Sequence, residues 1–283
     1  MINVASMPSR SVAARGDEAA AFAPLVRIAA IAALALLALG SATATAADMS
    51  AAALRDLLSA HAGEGPPDLS ESDLSGLDLS NVDFKGADLA GANLSGANLT
   101  GANLKRARLA GADLTGALID LAILRGADLA GAKLRDVSAF SAIMAEADLR
   151  GANLAGAKLV CNFENADLTG ADLTGAAMGA DMRNQSMGLM RLSMKNAKLT
   201  GAKLAGADMS RAMLEFADFT GADLSGANLL RAEAGGADFS GARIDGTNFT
   251  EADLQNARFT GAGGLDKAIG LDSAVNRDSA VFD

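Results

Sequence analysis

From Asp68 a five-residue unit repeats, its large apolar residue beginning Leu69, Leu74, Leu79, Phe84, Leu89, Leu94 and holding register through Leu159, with Ala139 a weak centre. A small residue, usually alanine, stands two positions earlier, as at Ala87, Ala92 and Ala97, with Asp or Asn between the two. Ser, Thr, Ala or a charged residue follows, and then often glycine. Neither regular element accommodates this period. On an α-helix a step of five advances by about 140°, so the leucines would wind around every face. On a flat strand the odd step would send successive leucines to opposite faces. All of them can point inward only if the chain turns a corner once per unit and stacks on copies of itself, which is the sequence signature of a solenoid.

The runs of Ala-(Asp/Asn)-Leu-x-Gly across Asp68–Ala262 resemble the pentapeptide-repeat proteins. The resemblance implies an all-β solenoid, a right-handed quadrilateral β-helix of four pentads per coil. The central Leu or Phe and the small residue two before it would face inward, and the other three positions would face out. It also implies interaction rather than catalysis, because the best-known members are acidic rods that mimic DNA and bind DNA gyrase. Composition suits a narrow coil: 50% of the chain is hydrophobic but only 4% is aromatic, with no Trp or Tyr.

A coil of 20 residues is visible in the sequence itself. Phe219, Phe239 and Phe259 are spaced by 20, as are Thr200, Thr220, Ser240 and Thr260. Lys198, Asp218, Asp238 and Arg258 would then form an outward ladder with opposite charges at two of its three steps, which favours that register. At ~4.8 Å per stacked strand, nearly ten coils make a rod roughly 45–50 Å long. The period breaks after Leu159, where a four-residue unit, Ala157–Val160, puts Cys161 at an inward small-residue position. A second short unit, Ala176–Gly179, precedes Ala180–Asn184 centred on Met182, and Gln185–Asn196 exceeds two pentads. A bulge or corner loop is expected there.

The flanks read differently. Residues 1–47 combine Arg10, Arg15 and Arg27, the uncharged run Ile28–Leu39 and an Ala-x-Ala site at Ala44–Ala46. This is the pattern of a cleaved secretory signal, with the cut expected near Ala46/Ala47 and a periplasmic or secreted mature chain. Met7 would give a tighter start. Residues 48–67 are expected to form a helical cap, started by Asp48 or Ser50, with Leu54, Leu57 and Leu58 on one face. His61 falls in its closing loop. Residues 263–283, with Leu265, Ala268, Ile269, Leu271, Ala274 and Val275, are expected to make short helical turns over the last coil, because open coil ends expose unpaired backbone.

The residue inventory argues against familiar chemistry. One His and one Cys leave no His-clustered metal site, triad or disulfide framework. No P-loop, G-x-S-x-G, HExxH or dinucleotide fingerprint occurs. No enzyme activity and no cofactor are expected. The net charge of −10 argues against nucleic acid and, once the signal is removed, against anionic membranes. Met178, Met182, Met187, Met190 and Met194 would suit Cu(I) as soft ligands. Core filling around an irregular stretch explains them better, and no metal site is assigned.

What remains is a surface. Leu118, Ile123 and Ile143 replace the outward Asp/Asn, while Phe140 and Val160 follow central positions one coil apart. On a four-sided coil these five fall on two adjoining sides near one edge, and contiguous exposed apolar surface marks a partner or dimer site. The expected partner is an unidentified protein, with a homodimer among the options. The DNA-mimic reading requires a cytoplasmic location, and its charge is diluted: residues 68–262 hold 25 acidic and 18 basic residues, with Lys85, Lys105 and Arg125 in one basic ladder.

Overall fold

The computed structural model describes residues 49–61, 65–84, 86–180 and 190–283. Asp48, Lys85, residues 62–64 and the stretch 181–189 with Met182 and Met187, together with the signal-like leader, lie outside the described residues.

Each pentad is one side of a square coil. The Asp/Asn position of one coil bridges in parallel to the same position of the next, and the bridges form four ladders. Side A runs from Asp68 and Asp88, side B from Asp73 and Asn93, side C from Asp78 and Asn98, and side D from Asp83 and Asn103. Backbone pairing runs both between coils and within them. Leu94 N–H donates to the Asp113 carbonyl above (2.7 Å), Gly96 N–H to that of Thr115 (2.9 Å), and Asp113 N–H to the Ala92 carbonyl below (2.9 Å). Within the coil, Ala97 N–H closes the corner onto the Leu94 carbonyl (3.1 Å). This satisfaction is what allows a narrow rod with few rings to persist, since an unpaired buried amide would be costly.

The Asp/Asn preference has a local cause. Its Oδ1 accepts the N–H two residues on, as in Asp73–Ser75 (3.1 Å), Asn98–Thr100 (3.1 Å) and Asp113–Thr115 (3.0 Å). These Asx turns fix the bend that follows the inward residue. The corner residue itself takes a positive φ near 60°, which glycine adopts without a steric penalty.

The inward residues form one continuous core of Leu, Phe, Met and Ala. The 20-residue spacing holds: Phe219 and Phe239 stack with centroids 5.0 Å apart, Phe239 and Phe259 at 4.9 Å, and Phe259 and Phe282 at 5.0 Å. Lys198 bridges Asp218, which bridges Asp238, which bridges Arg258. Ala139 serves as a fully buried centre despite its size.

The irregularities resolve into two events on one corner. Ile143 pairs with Asn162, a coil of 19 residues, because one residue is missing where side C turns into side D. Side C then reaches Ala177, and the next side-D residue is Ser193, bridged to Asn162. Beyond Ala180 the pentad centred on Met182 lies outside the described residues. The extra residues enter between Ala177 and Ser193, at that same corner.

Both ends are covered. Helix α1, Ala51–Ala60, starts at Ser50, whose Oγ accepts the Ala53 N–H (3.2 Å). It buries Leu54 and Leu58 in the core cluster that holds Leu69, Leu74 and Leu79. Arg55 anchors it, donating to the Asp78 carbonyl (2.9 Å). At the other end, backbone pairing continues past Ala262 with a period of six: Ile269, Val275 and Val281 bridge Asn248, Asp253 and Arg258. Each is preceded by a 3₁₀ turn, Leu265–Lys267, Leu271–Ser273 and Arg277–Ser279, entered through left-handed Gly264, Gly270 or Asn276. Among the described residues no helix is long and apolar enough to cross a membrane.

Candidate functional site: an apolar edge between two sides of the coil

The five predicted surface residues fall together. Leu118 lies on side C, and Ile123 and Ile143 are directly bridged on side D. Phe140 and Val160 close side C just before the corner: Leu121 N–H donates to the Phe140 carbonyl and Ser141 N–H to that of Val160, both at 2.8 Å, stacking the three coils. Leu118, Ile123 and Phe140 are 44%, 38% and 45% exposed, while Ile143 and Val160 are half-buried.

Sequence reasoning missed a sixth member. Leu121, 57% exposed, occupies the left-handed corner with φ 60° where most coils place glycine. Its signal was a bulky residue in the glycine slot of an otherwise regular pentad. It joins Leu118 to Ile123 around the corner and makes the patch continuous.

The polar neighbours are organised. Asp120 accepts from the Ser138 hydroxyl and the Phe140 N–H, both 2.7 Å, which fixes the backbone that presents the Phe140 ring. Arg125 and Glu146 pair at 2.7 Å across two coils of side D. Lys105 and Arg106, one coil nearer the N-terminus, are exposed and carry no ion pair among the described residues.

The other residues singled out in the sequence are placed as follows. Cys161 is buried at the inward small position, and burial pushes its thiol pKa well above its ordinary value, which disfavours the reactive thiolate. Met178 and Met194 are fully buried in the core, whereas Met190 is exposed. His61 caps α1, its Nε2 3.1 Å from the Gly65 carbonyl. Asp ladders are interrupted by their own counter-charges: Arg108–Asp88 at 2.8 Å, Lys133–Asp113 at 3.2 Å and Arg243–Asp223 at 3.6 Å.

A four-sided parallel coil of five-residue sides with an Asx turn on each defines a quadrilateral β-helix repeat protein. The chain belongs to the pentapeptide repeat family, whose model matches residues 68–106, 102–138, 142–184, 193–229 and 231–262, and the coil is right-handed. The matched stretches skip Ala139–Ser141, at the edge of the patch, and 185–192, in the insertion. Among solved structures, the chain is similar to HetL, a pentapeptide repeat protein involved in heterocyst differentiation regulation from the cyanobacterium Nostoc sp. strain PCC 7120. That likeness has 31% identity over 83% of this chain and 95% of the other, with a TM-score of 0.40. QnrB1, a plasmid-mediated fluoroquinolone resistance protein, is 18% identical over 75% of this chain and 91% of its own, with a TM-score of 0.34. A pentapeptide repeat protein of the Arabidopsis thaliana thylakoid lumen is 36% identical over 42% and 70%, with a TM-score of 0.16. No curated protein matches the chain.

Proposed function

We propose that this is an exported, non-enzymatic repeat protein whose rod presents a rigid protein-docking surface. One observation carries the reading: Leu118, Leu121, Ile123, Phe140, Ile143 and Val160 form a continuous apolar edge on a rod whose outward positions are otherwise mostly polar or small. An outward position costs nothing to fill with Asp, Asn, Ser or Thr, and the Asx turn favours Asp or Asn there. Apolar residues gathered at one edge instead are accounted for by a binding partner, which desolvates them. The export half of the proposal rests on the leader residues 1–47 and is tested by fractionation with N-terminal sequencing: a mature start near Ala47 in the envelope fraction is expected. Capture of a partner from envelope extract should be lost in Phe140→Asp and Ile143→Asp; unchanged capture and oligomeric state would remove the site.

A second reading is an acidic rod that mimics DNA for a topoisomerase. The consecutive side-A carboxylates Asp128, Asp148 and Asp167 favour it. Arg108 below and Lys198 above interrupt that ladder, and an exported chain does not meet gyrase. A cytosolic full-length chain that inhibits or protects gyrase in a supercoiling assay would reverse the order of the two readings.

A further inference from the structure

The order of residues along side D identifies what docks on this edge. Four successive rungs of its bridging ladder are Asn103, Ile123, Ile143 and Asn162. The sequence of these rungs reads the same in either direction. The ladder that follows the central residue has Lys105, Arg125, Ala145 and Glu164 on the same four coils. The bonds from Arg106 to Arg125 (3.1 Å), Gly126 to Ala145 (3.0 Å) and Glu146 to Glu164 (2.9 Å) stack them. Over these four rungs the second ladder is not symmetric, basic at the Lys105 end and acidic at Glu164; the rung beyond, Lys195, is held in its own pair with Glu215 (2.8 Å).

A palindrome beside a charge dipole is what an antiparallel self-contact requires. We propose, building on the docking-surface reading above, that the occupant is a second copy of this chain. The two rods lie antiparallel, side D against side D, about a twofold axis between the Ile123 and Ile143 coils. Ile123 then covers the partner's Ile143 and each Asn faces an Asn, whose amide both donates and accepts. Lys105 meets the partner's Glu164, a half-buried carboxylate whose Oε1 accepts from the Ser193 hydroxyl of its own chain (2.9 Å) and whose Oε2 faces the contact, with Arg106 beside it. Arg125 stays in its own pair with Glu146, and Ala145, 3% exposed, adds no charge to the contact. An isologous contact of this kind produces each pairing twice. Leu121, Phe140 and Val160 form the rim on the side-C flank.

Each copy carries a net charge of −10 over the full sequence, and −11 without residues 1–47 with their three basic and two acidic residues, so the association depends on the local pairs, which dominate within a Debye length of about 8–10 Å. Four coils span roughly 15–20 Å at ~4.8 Å each. That is short of the face a standard interface uses, about 800 Å² per partner, so the dimer is concentration-dependent rather than obligate.

Sedimentation velocity over a concentration series, on the protein as it accumulates in the cell, tests this. Wild type should pass from monomer to dimer. Lys105→Glu and Glu164→Lys should each weaken self-association by about tenfold, because two symmetric pairs turn repulsive. The double reversal K105E/E164K should return to within about threefold of wild type, with far-UV circular dichroism unchanged throughout. A monomer at every concentration overturns the inference, as does a dimer indifferent to the single reversals or not restored by the double one. If the wild type is monomeric yet F140D/I143D abolishes capture of another protein, self-docking falls while the docking surface stands. If F140D/I143D changes neither, both fall.

Discussion

Single residues show where this chain departs from its own rule, and the departures are testable. A bulky side chain at a left-handed corner costs about 1–2 kcal/mol, which Leu121 bears at φ 60° while mostly exposed. Leu121→Gly is therefore expected to raise stability by about 0.5–1 kcal/mol in urea unfolding, the gain being trimmed by the greater unfolded-state freedom of glycine. The same variant should weaken docking, so that stability and association move in opposite directions. The repeat's carboxylates make a second prediction. The Ser225 hydroxyl (2.6 Å) and then its N–H (3.0 Å) hold the Asp223 carboxyl below its ordinary pKa, with Arg243 adding to the effect. A pKa lower in the folded state means stability that is present above the unfolded value of about 3.9 and is lost as pH falls through the folded one. The urea midpoint should decline from about pH 5 downward. Asp223→Asn keeps an Oδ1 for the Ser225 bonds, so its decline with acid should be shallower than that of wild type.

At the scale of elements, the aromatic column and the end caps carry the largest single contributions. Phe239 lies between Phe219 and Phe259 and meets Phe249 edge-on at 5.7 Å. Phe239→Ala should cost about 3–5 kcal/mol, read as a lower denaturant midpoint, whereas Phe239→Leu, which restores the residue used by other coils, should recover most of it. The closing turns are coupled to the same column through Phe282, stacked on Phe259 and faced by Arg277 at 5.1 Å. Truncation before Gly264 uncovers that ring and the last unpaired edge. The expected outcome is concentration-dependent aggregation in light scattering, with the N-terminal coils retaining their hydrogen-exchange protection because solenoid contacts are between neighbours.

Over the whole molecule, the period of five determined the fold without help from tertiary structure. A step of five is incompatible with a helix face or a flat strand, and the inward Leu/Ala pair, the Asx turns and the corner glycines are all local consequences of residues such as Leu94, Asn93 and Gly96. The 20-residue register was also legible, because Phe219, Phe239 and Phe259 repeat within the sequence itself. The five-residue surface patch could be mapped once the coil had four sides. Three things were decided only in three dimensions. The residues in excess of the period enter between the side-C rung Ala177 and the side-D rung Ser193, because strand pairing selects register by partners a coil away. The last coil reads as loss of pattern because 3₁₀ turns lengthen its sides to six residues, while Ile269, Val275 and Val281 still pair with the coil below. Leu121 stands in the sequence as a bulky residue in a glycine slot, but only the stacked coils place it at the exposed corner between Leu118 and Ile123. The sequence thus determined the coil, since its causes lie within five residues, and the tertiary structure decided which deviations gather at the corner between sides C and D, since that depends on residues 20 apart being stacked.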